Sequence, residues 1–221
     1  MLDDLSAAER LGELERDNKR LRRLLDQRDA PAELRHRTRS TLSVLRAIIT
    51  KSAETERDLE NYVAHLHDRV SALGRAQAAI DDNGAIDLRK LVDEELRMYE
   101  ASSGSRISIE GLDIELSPKV GMLVALSIHE LTVNSVEHGA LGSSPVGQVK
   151  VCWARSPDGA LILTWQERDT RPVGEPVSKG FGTEVLTRML PYELKADVSL
   201  SFDHSEVHCR IRLPANTILQ S

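Results

Sequence analysis

The chain has 221 residues, of which 40% are hydrophobic, so it can bury one large core or two small ones. Its formal net charge of −6 argues against a general nucleic-acid-binding protein, because such proteins need a concentrated basic surface. The sequence has two cysteines, too few for a disulfide scaffold. It has no apolar run of membrane-spanning length and no N-terminal signal pattern, so we expect a cytoplasmic protein with no membrane partner.

The first predicted element is a short coiled coil in residues 1–29. Its seam alternates steps of three and four residues and consists of Leu11, Leu14, Asn18, Leu21 and Leu25. Asn18 is the polar residue that would set the register of the paired helices. A single solvated helix that packs on its own domain explains the pattern equally well, so both interpretations stay open.

Residues 30–82 are predicted to form a helical hairpin, with helices at about residues 32–53 and 55–80. His36 lies nine residues before Leu45, which places it roughly opposite the apolar stripe and therefore towards solvent. A hairpin alone leaves apolar surface that a second copy can cover in a four-helix bundle. The pattern therefore predicts a homodimer.

A turn rich in Asp, Asn and Gly at residues 81–84 marks a domain boundary, and residues 83–221 form the second domain. Its predicted helices are residues 87–99, 118–138 and 183–190. Its predicted strands are residues 106–110, 113–116, 148–154, 161–167, 197–202 and 206–213. Runs of strands with helices gathered between them predict the α+β class.

The helix at residues 118–138 carries a candidate metal site. Glu130, Asn134 and Glu137 follow one another at intervals of four and three residues, so they share one face. Carboxylate and carboxamide oxygens are ligands for Mg²⁺, which proteins usually hold through one or two side chains together with phosphates. Spacing alone favours the simpler interpretation, a solvated polar face.

Two later motifs are typical of nucleotide contacts. Gly180 and Gly182 open a helix together with Thr183, and backbone N–H groups in such a segment can approach phosphate oxygens. Glu167 follows Trp165 on one face of a strand, where its carboxylate can accept a hydrogen bond from the exocyclic amine of adenine. The simpler alternatives are a tight turn for the glycines and a strand-end surface residue for Glu167.

These segments, in this order, resemble the HWE family of bacterial sensor histidine kinases over residues 33–214. The matching segments are residues 33–40, a phosphoacceptor box; residues 129–141, an N box; and residues 165–167 with residues 180–182, a Trp-x-Glu hallmark and a glycine box. The chain departs from the family pattern at Ser40, where the family has Asn, and soon after Glu167, where the family has Gly.

The resemblance implies a coiled coil and a helical-hairpin dimerisation and phosphotransfer domain, followed by a Bergerat-type α/β-sandwich that binds ATP. It makes His36 the phosphorylated residue, Asn134 the Mg²⁺ ligand and His129 the hallmark histidine. Glu130 would orient or deprotonate His36. The implied nucleotide contacts are Asn134, His138, Glu167, Gly180, Gly182 and Thr183. The implied partner is the receiver domain of a response regulator, whose aspartate takes the phosphoryl group. The sequence contains no recognisable sensor domain, so either the coiled coil couples to a separate sensor protein or the chain is a piece of a longer protein.

Two other functions stay open. The chain can be a histidine phosphotransfer protein or pseudokinase that carries phosphate on His36 without using ATP. The departures after Glu167 favour this alternative, whereas Asn134, Gly180 and Gly182 count against it. It can also be a coiled-coil interaction module whose α+β domain binds a protein partner, as in serine kinases that control sigma factors. Those kinases lack a phosphorylatable helical hairpin, whereas this chain is predicted to have one, which counts against this alternative.

Overall fold

The computed structural model describes residues 32–53, 59–81, 84–103, 106–142, 146–169 and 180–219. The predicted coiled coil, residues 1–29, lies outside these residues. The chain divides into two compact units, Met1–Ser43 and Val44–Ser221. The described part of the first unit is the beginning of helix α1 (Ala32–Ala53), which carries His36. The predicted division into coiled coil, hairpin and second domain stays a prediction.

The second unit contains the end of α1 and the helices that follow it. These are α2 (Leu59–Ala78), α3 (Leu88–Ser103), α4 (Pro118–His138), α5 (Phe181–Glu184) and, after a π-helical stretch (Val185–Met189), α6 (Leu190–Leu194). Within the described residues, none of the helices has the length and apolar character needed to cross a membrane.

The strands form one large sheet and one small one. They are β1 (Ile86–Asp87), β2 (Ile107–Gly111), β3 (Glu115–Leu116), β4 (Gln148–Arg155), β5 (Leu161–Arg168), β6 (Asp197–Asp203) and β7 (Glu206–Leu213). The large sheet has the order β2-β4-β5-β7-β6, with β2 parallel to β4 and the other pairs antiparallel. Strands β1 and β3 pair separately. The combination of these helices with a mainly antiparallel sheet confirms the α+β class.

Helix α4 belongs to the second unit and has the bounds predicted for it. Pro118 occupies its first turn after Ser117, and Gly139 ends it. Every residue from Val120 to Thr132 is buried. The helix contacts α2, α3 and α5, so its apolar surface is covered on several sides.

The helix after the glycines is longer than predicted. The sequence places its end near residue 190, but α6 continues to Leu194. Pro191 is accommodated at the start of α6 because the helix widens before it, with the Leu190 N–H bonded to the carbonyl of Val185. A widened turn relieves the clash that a proline ring makes with the preceding turn of a regular helix.

Candidate functional site

The polar face of α4 is partly buried. Glu130 is 4% exposed, whereas Asn134 and Glu137 are exposed. The prediction of a fully solvated polar face, which spacing alone favoured, is therefore wrong at Glu130. A carboxylate is buried at this depth only when partners offset its desolvation, so the partners of Glu130 identify the site.

Glu130 forms a buried ion pair with Arg69 of α2. Arg69 Nε donates to Glu130 Oε1 at 2.7 Å, and its Nη2 donates to Oε2 at 3.2 Å. The third guanidinium nitrogen, Nη1, donates to Ser52 Oγ at 3.1 Å. This fork geometry fixes the orientation of the Glu130 carboxylate. No sequence pattern identified Arg69, since its partner lies 61 residues away.

Residues 180–182, the glycine segment, lie against the same face of α4. A Cβ atom added to Gly182 would lie 3.1 Å from Asn134 Nδ2 and 3.1 Å from Glu130 Oε2, so the backbone of Gly182 lies close to both side chains. Gly180 and Thr183, on either side, are half-buried. An exposed carboxamide fits Mg²⁺, because this metal usually binds one or two protein side chains together with phosphates. The adjacent glycine backbone fits the phosphates, because its N–H groups can bind their oxygens.

Glu167 lies at the end of β5 and is 3% exposed. Its Oε1 accepts from Trp165 Nε1 at 2.8 Å, and its Oε2 accepts from Ser135 Oγ at 2.8 Å and from the Ala140 N–H at 3.0 Å. Burial raises the pKa of Glu167 above its ordinary value, although these donors act to lower it. The carboxylate therefore ties β5 to the end of α4, and its contact with adenine stays a prediction.

The position of Glu167 imposes a glycine at residue 139. A Cβ atom there would overlap Glu167 Oε2, so Gly139→Ala should lower the free energy of unfolding by about 1–3 kcal/mol. Gly74, inside α2, is the matched control because, among the described residues beyond its chain neighbours and its own helix backbone, no atom lies within 4 Å of an added Cβ. Gly74→Ala should raise the free energy by about 0.5–1 kcal/mol through helix propensity. Urea unfolding of both variants measures the contrast, and equal effects would contradict this packing.

His129 belongs to a second buried group of ionisable side chains. Its Nδ1 lies 3.6 Å from Glu95 Oε2, too far for a full hydrogen bond. Arg75 of α2 donates to both oxygens of Glu95, at 2.9 and 2.7 Å. Glu95 falls in the apolar stripe of α3 with Leu91 and Val92, and a carboxylate in such a stripe is a sequence signal for a buried ion pair.

Glu95 should make the fold sensitive to acid. Burial acts to raise the pKa of Glu95, but His129 and Arg75 outweigh it and leave that pKa below the ordinary value of 4.5. The ionised form is thus favoured by folding, and its stabilisation is lost as the pH falls from 4.5 through the lowered pKa. Glu95→Gln should be less stable at neutral pH, and the gap should narrow in acid. Parallel pH profiles of urea unfolding for the two proteins would refute this.

The other two predicted site residues, His36 and His138, lie on helices α1 and α4. His36 is on α1, and its side chain lies outside the described residues. His138 is exposed in the last turn of α4, where its Nε2 lies 3.5 Å from Glu137 Oε2. The other Glu137 oxygen lies 3.6 Å from Nε2 of His65 on α2. Helix α2 therefore contacts the polar face of α4 on both sides of Asn134.

Several known proteins are similar to this chain in sequence. Residues 33–113 match the sequence profile of a family described as HWE histidine kinase. The chain is 35% identical over 198 residues to blue-light-activated histidine kinase 1 of Erythrobacter litoralis, covering 86% of this chain and 54% of that protein. It is 28% identical over 186 residues to the blue-light-activated histidine kinase of Rhizobium johnstonii, covering 83% and 52%. The chain thus spans about half the length of these relatives.

Two solved structures have a similar fold. The EL346 blue-light activated histidine kinase of Erythrobacter litoralis matches with a TM-score of 0.67 and 16% identity, over 85% of this chain and 61% of that chain. The histidine kinase domain of EL346 matches with a TM-score of 0.55 and 16% identity, over 79% of this chain and 96% of that chain. At this identity the likeness establishes the fold alone.

Proposed function

The chain belongs to the HWE histidine kinase family, and from this premise we propose that it is an ATP-dependent kinase that phosphorylates itself on His36. The observation that carries the proposal is the contact between α4 and the glycine segment, where Asn134 and Gly182 meet. Under this proposal the α+β part of the chain is the ATP-binding domain.

Each residue of the site has a proposed role. Asn134 would hold Mg²⁺, and backbone N–H groups of residues 180–183 would receive phosphate oxygens. Bound Mg²⁺ supplies positive charge that offsets the charge of the phosphates. An imidazole nitrogen of His36 forms a bond to the γ-phosphorus while the bond to the leaving ADP oxygen breaks. Imidazole is substantially neutral near pH 7, so its lone pair is available for this attack.

Glu130 is proposed to orient His36. Each carboxylate oxygen has two lone pairs, so Glu130 can keep its ion pair with Arg69 and still accept a hydrogen bond from the imidazole N–H. Removal of the imidazole proton by Glu130 is the alternative role. The phosphoryl group would then pass from His36 to an aspartate of a response-regulator receiver domain.

A second copy of the chain is the proposed partner of the hairpin helices. Ile49 near the end of α1 is 51% exposed, and Val63 and Val70 on α2 are 55% and 41% exposed. Val63 and Val70 lie seven residues apart, on one side of α2. Apolar side chains at this spacing suit a helical bundle formed by two hairpins.

A phosphotransfer protein that does not use ATP is the second candidate. Glu167 favours it, because its side chain is 3% exposed and its Oε2 already accepts two hydrogen bonds from the protein. The residues after it, from Arg168 to Arg171, include no glycine. Saturable binding of Mg²⁺-ATP would exclude this candidate.

Incubation with ATP labelled in its γ-phosphate tests the proposed function. A phosphohistidine is labile in acid and stable in base, so the expected product is a labelled protein with that stability. A label that survives acid would point to a serine or threonine instead and would contradict the proposal. Absence of any label, in a preparation that accepts phosphate from a phosphorylated regulator, would favour the phosphotransfer protein.

A further inference from the structure

Arg69 connects two parts of the candidate nucleotide site. Its guanidinium pairs with both oxygens of Glu130 on α4, and it lies 3.9 Å from the ring centroid of Phe181. Phe181 is the middle residue of the glycine segment and is 1% exposed. Arg69 itself belongs to α2, in the predicted hairpin. A residue of the hairpin therefore contacts both the N-box helix and the glycine segment.

These contacts restrict the relative position of α4 and the glycine segment. The planar fork allows few orientations of Glu130, and the cation–π contact places the Phe181 ring over the same guanidinium. Phe181 is followed directly by Gly182, whose backbone lies against Asn134. A shift of Arg69 would therefore move the two groups that are proposed to receive Mg²⁺ and phosphate.

We propose that Arg69 is a positioning residue of the nucleotide site, which holds Glu130 and Phe181 so that Asn134 and Gly182 stay adjacent. The inference rests on the proposed function, because Mg²⁺-ATP is the ligand concerned. It goes further in that α2 of the hairpin becomes part of nucleotide binding. A change in the position of α2 would then alter the affinity for nucleotide.

Arg75 provides the matched control. It is also on α2 and also pairs with both oxygens of a buried glutamate, but that glutamate is Glu95 on α3, which approaches the N-box helix at His129 (3.6 Å) and is not paired with Glu130 or Asn134. A merely structural role for α2 arginines predicts similar effects of Arg69→Lys and Arg75→Lys on nucleotide binding, whereas a positioning role predicts different ones.

Titration calorimetry with Mg²⁺-ATP, together with thermal unfolding, separates these cases. Arg69→Lys keeps the charge but loses the fork and much of the stacking, so it should weaken Mg²⁺-ATP binding by about tenfold, the equivalent of one charged hydrogen bond. Arg75→Lys should lower the melting temperature about as much as Arg69→Lys does, because each loses a forked ion pair with a buried glutamate. It should change the affinity for Mg²⁺-ATP less than about twofold. Affinity that is unchanged in Arg69→Lys, increased in it, or equally reduced in both variants would overturn the proposal.

A second variant avoids dependence on the folding of Arg69→Lys. Phe181→Leu keeps an apolar side chain and the Arg69–Glu130 pair but removes the aromatic face, and it should also weaken Mg²⁺-ATP binding, by about threefold or more. An unchanged affinity in Phe181→Leu would overturn the proposal independently. Failure of the wild-type protein to bind Mg²⁺-ATP would instead refute the proposed function, which distinguishes the two failures.

Discussion

Replacement of Asn134 by alanine is expected to abolish Mg²⁺-dependent binding of ATP, with a loss of affinity of at least about 100-fold. The carboxamide oxygen of Asn134 is the proposed protein ligand of Mg²⁺, and the metal otherwise contacts phosphates and water. Asn134 is exposed on α4, so its truncation leaves no cavity in the core and the fold should persist. Titration calorimetry with ATP, in the presence and absence of Mg²⁺, measures the loss.

The control for this prediction is another exposed asparagine. Asn216 lies in the short 3₁₀ helix Ala215–Thr217 after β7, and it is exposed like Asn134. Asn216→Ala should bind Mg²⁺-ATP with the wild-type affinity. Omission of Mg²⁺ should weaken binding to the wild-type protein and to Asn216→Ala, but should have no effect on Asn134→Ala. A variant at Asn134 that keeps its response to Mg²⁺ would show that the metal is held elsewhere.

Replacement of His36 by glutamine is expected to remove all labelling by γ-labelled ATP. Glutamine is polar and of similar length, but its amide nitrogen has no lone pair available for attack on phosphorus. Binding of Mg²⁺-ATP should be unchanged, because His36 is proposed as the acceptor and not as a nucleotide ligand. Autoradiography of the separated protein measures the label, and calorimetry measures the binding.

His67 supplies the matched control for His36. It is an exposed histidine on a hairpin helix, with 79% of its side chain accessible. His67→Gln should be labelled as strongly as the wild-type protein. If His36→Gln is labelled equally well, the assignment of the phosphorylated residue is wrong, even if the chain is a kinase.

The sequence predicted local structure well where local chemistry determines it. Pro118 and Gly139 fix the ends of α4, and the alternation of Leu161, Leu163 and Trp165 identifies β5 and its buried face. The spacing of Glu130 and Asn134 placed them correctly on one face of α4. These features depend on residues within a few positions of one another, so a pattern can reveal them.

Features that depend on distant residues were not predicted. The burial of Glu130 depends on Arg69, and the two hydrogen bonds to Glu167 Oε2 come from Ser135 in the last turn of α4 and from Ala140 just after the helix. A single sequence contains no periodic signal for such pairs. Helix propensity and spacing therefore identified the elements of the site, whereas the restraints between those elements became visible only in the structure.

Glu167 illustrates why this distinction matters for function. The sequence and the family resemblance assign its carboxylate to adenine, but in the structure three protein donors contact its two oxygens. One of these donors, the Ala140 N–H, follows directly after Gly139 at the end of α4. We therefore expect Glu167 to hold β5 against the end of α4 through these hydrogen bonds, whether or not adenine also contacts it.

A crystal structure with Mg²⁺ and a non-hydrolysable ATP analogue is the measurement that tests the central claim most directly. We predict that the phosphates lie against the backbone of residues 180–183 and that Mg²⁺ lies within coordination distance, about 2.1 Å, of the Asn134 carboxamide oxygen. A nucleotide bound elsewhere, a metal without Asn134 among its ligands, or crystals that exclude the analogue at saturating concentration would contradict the proposed site.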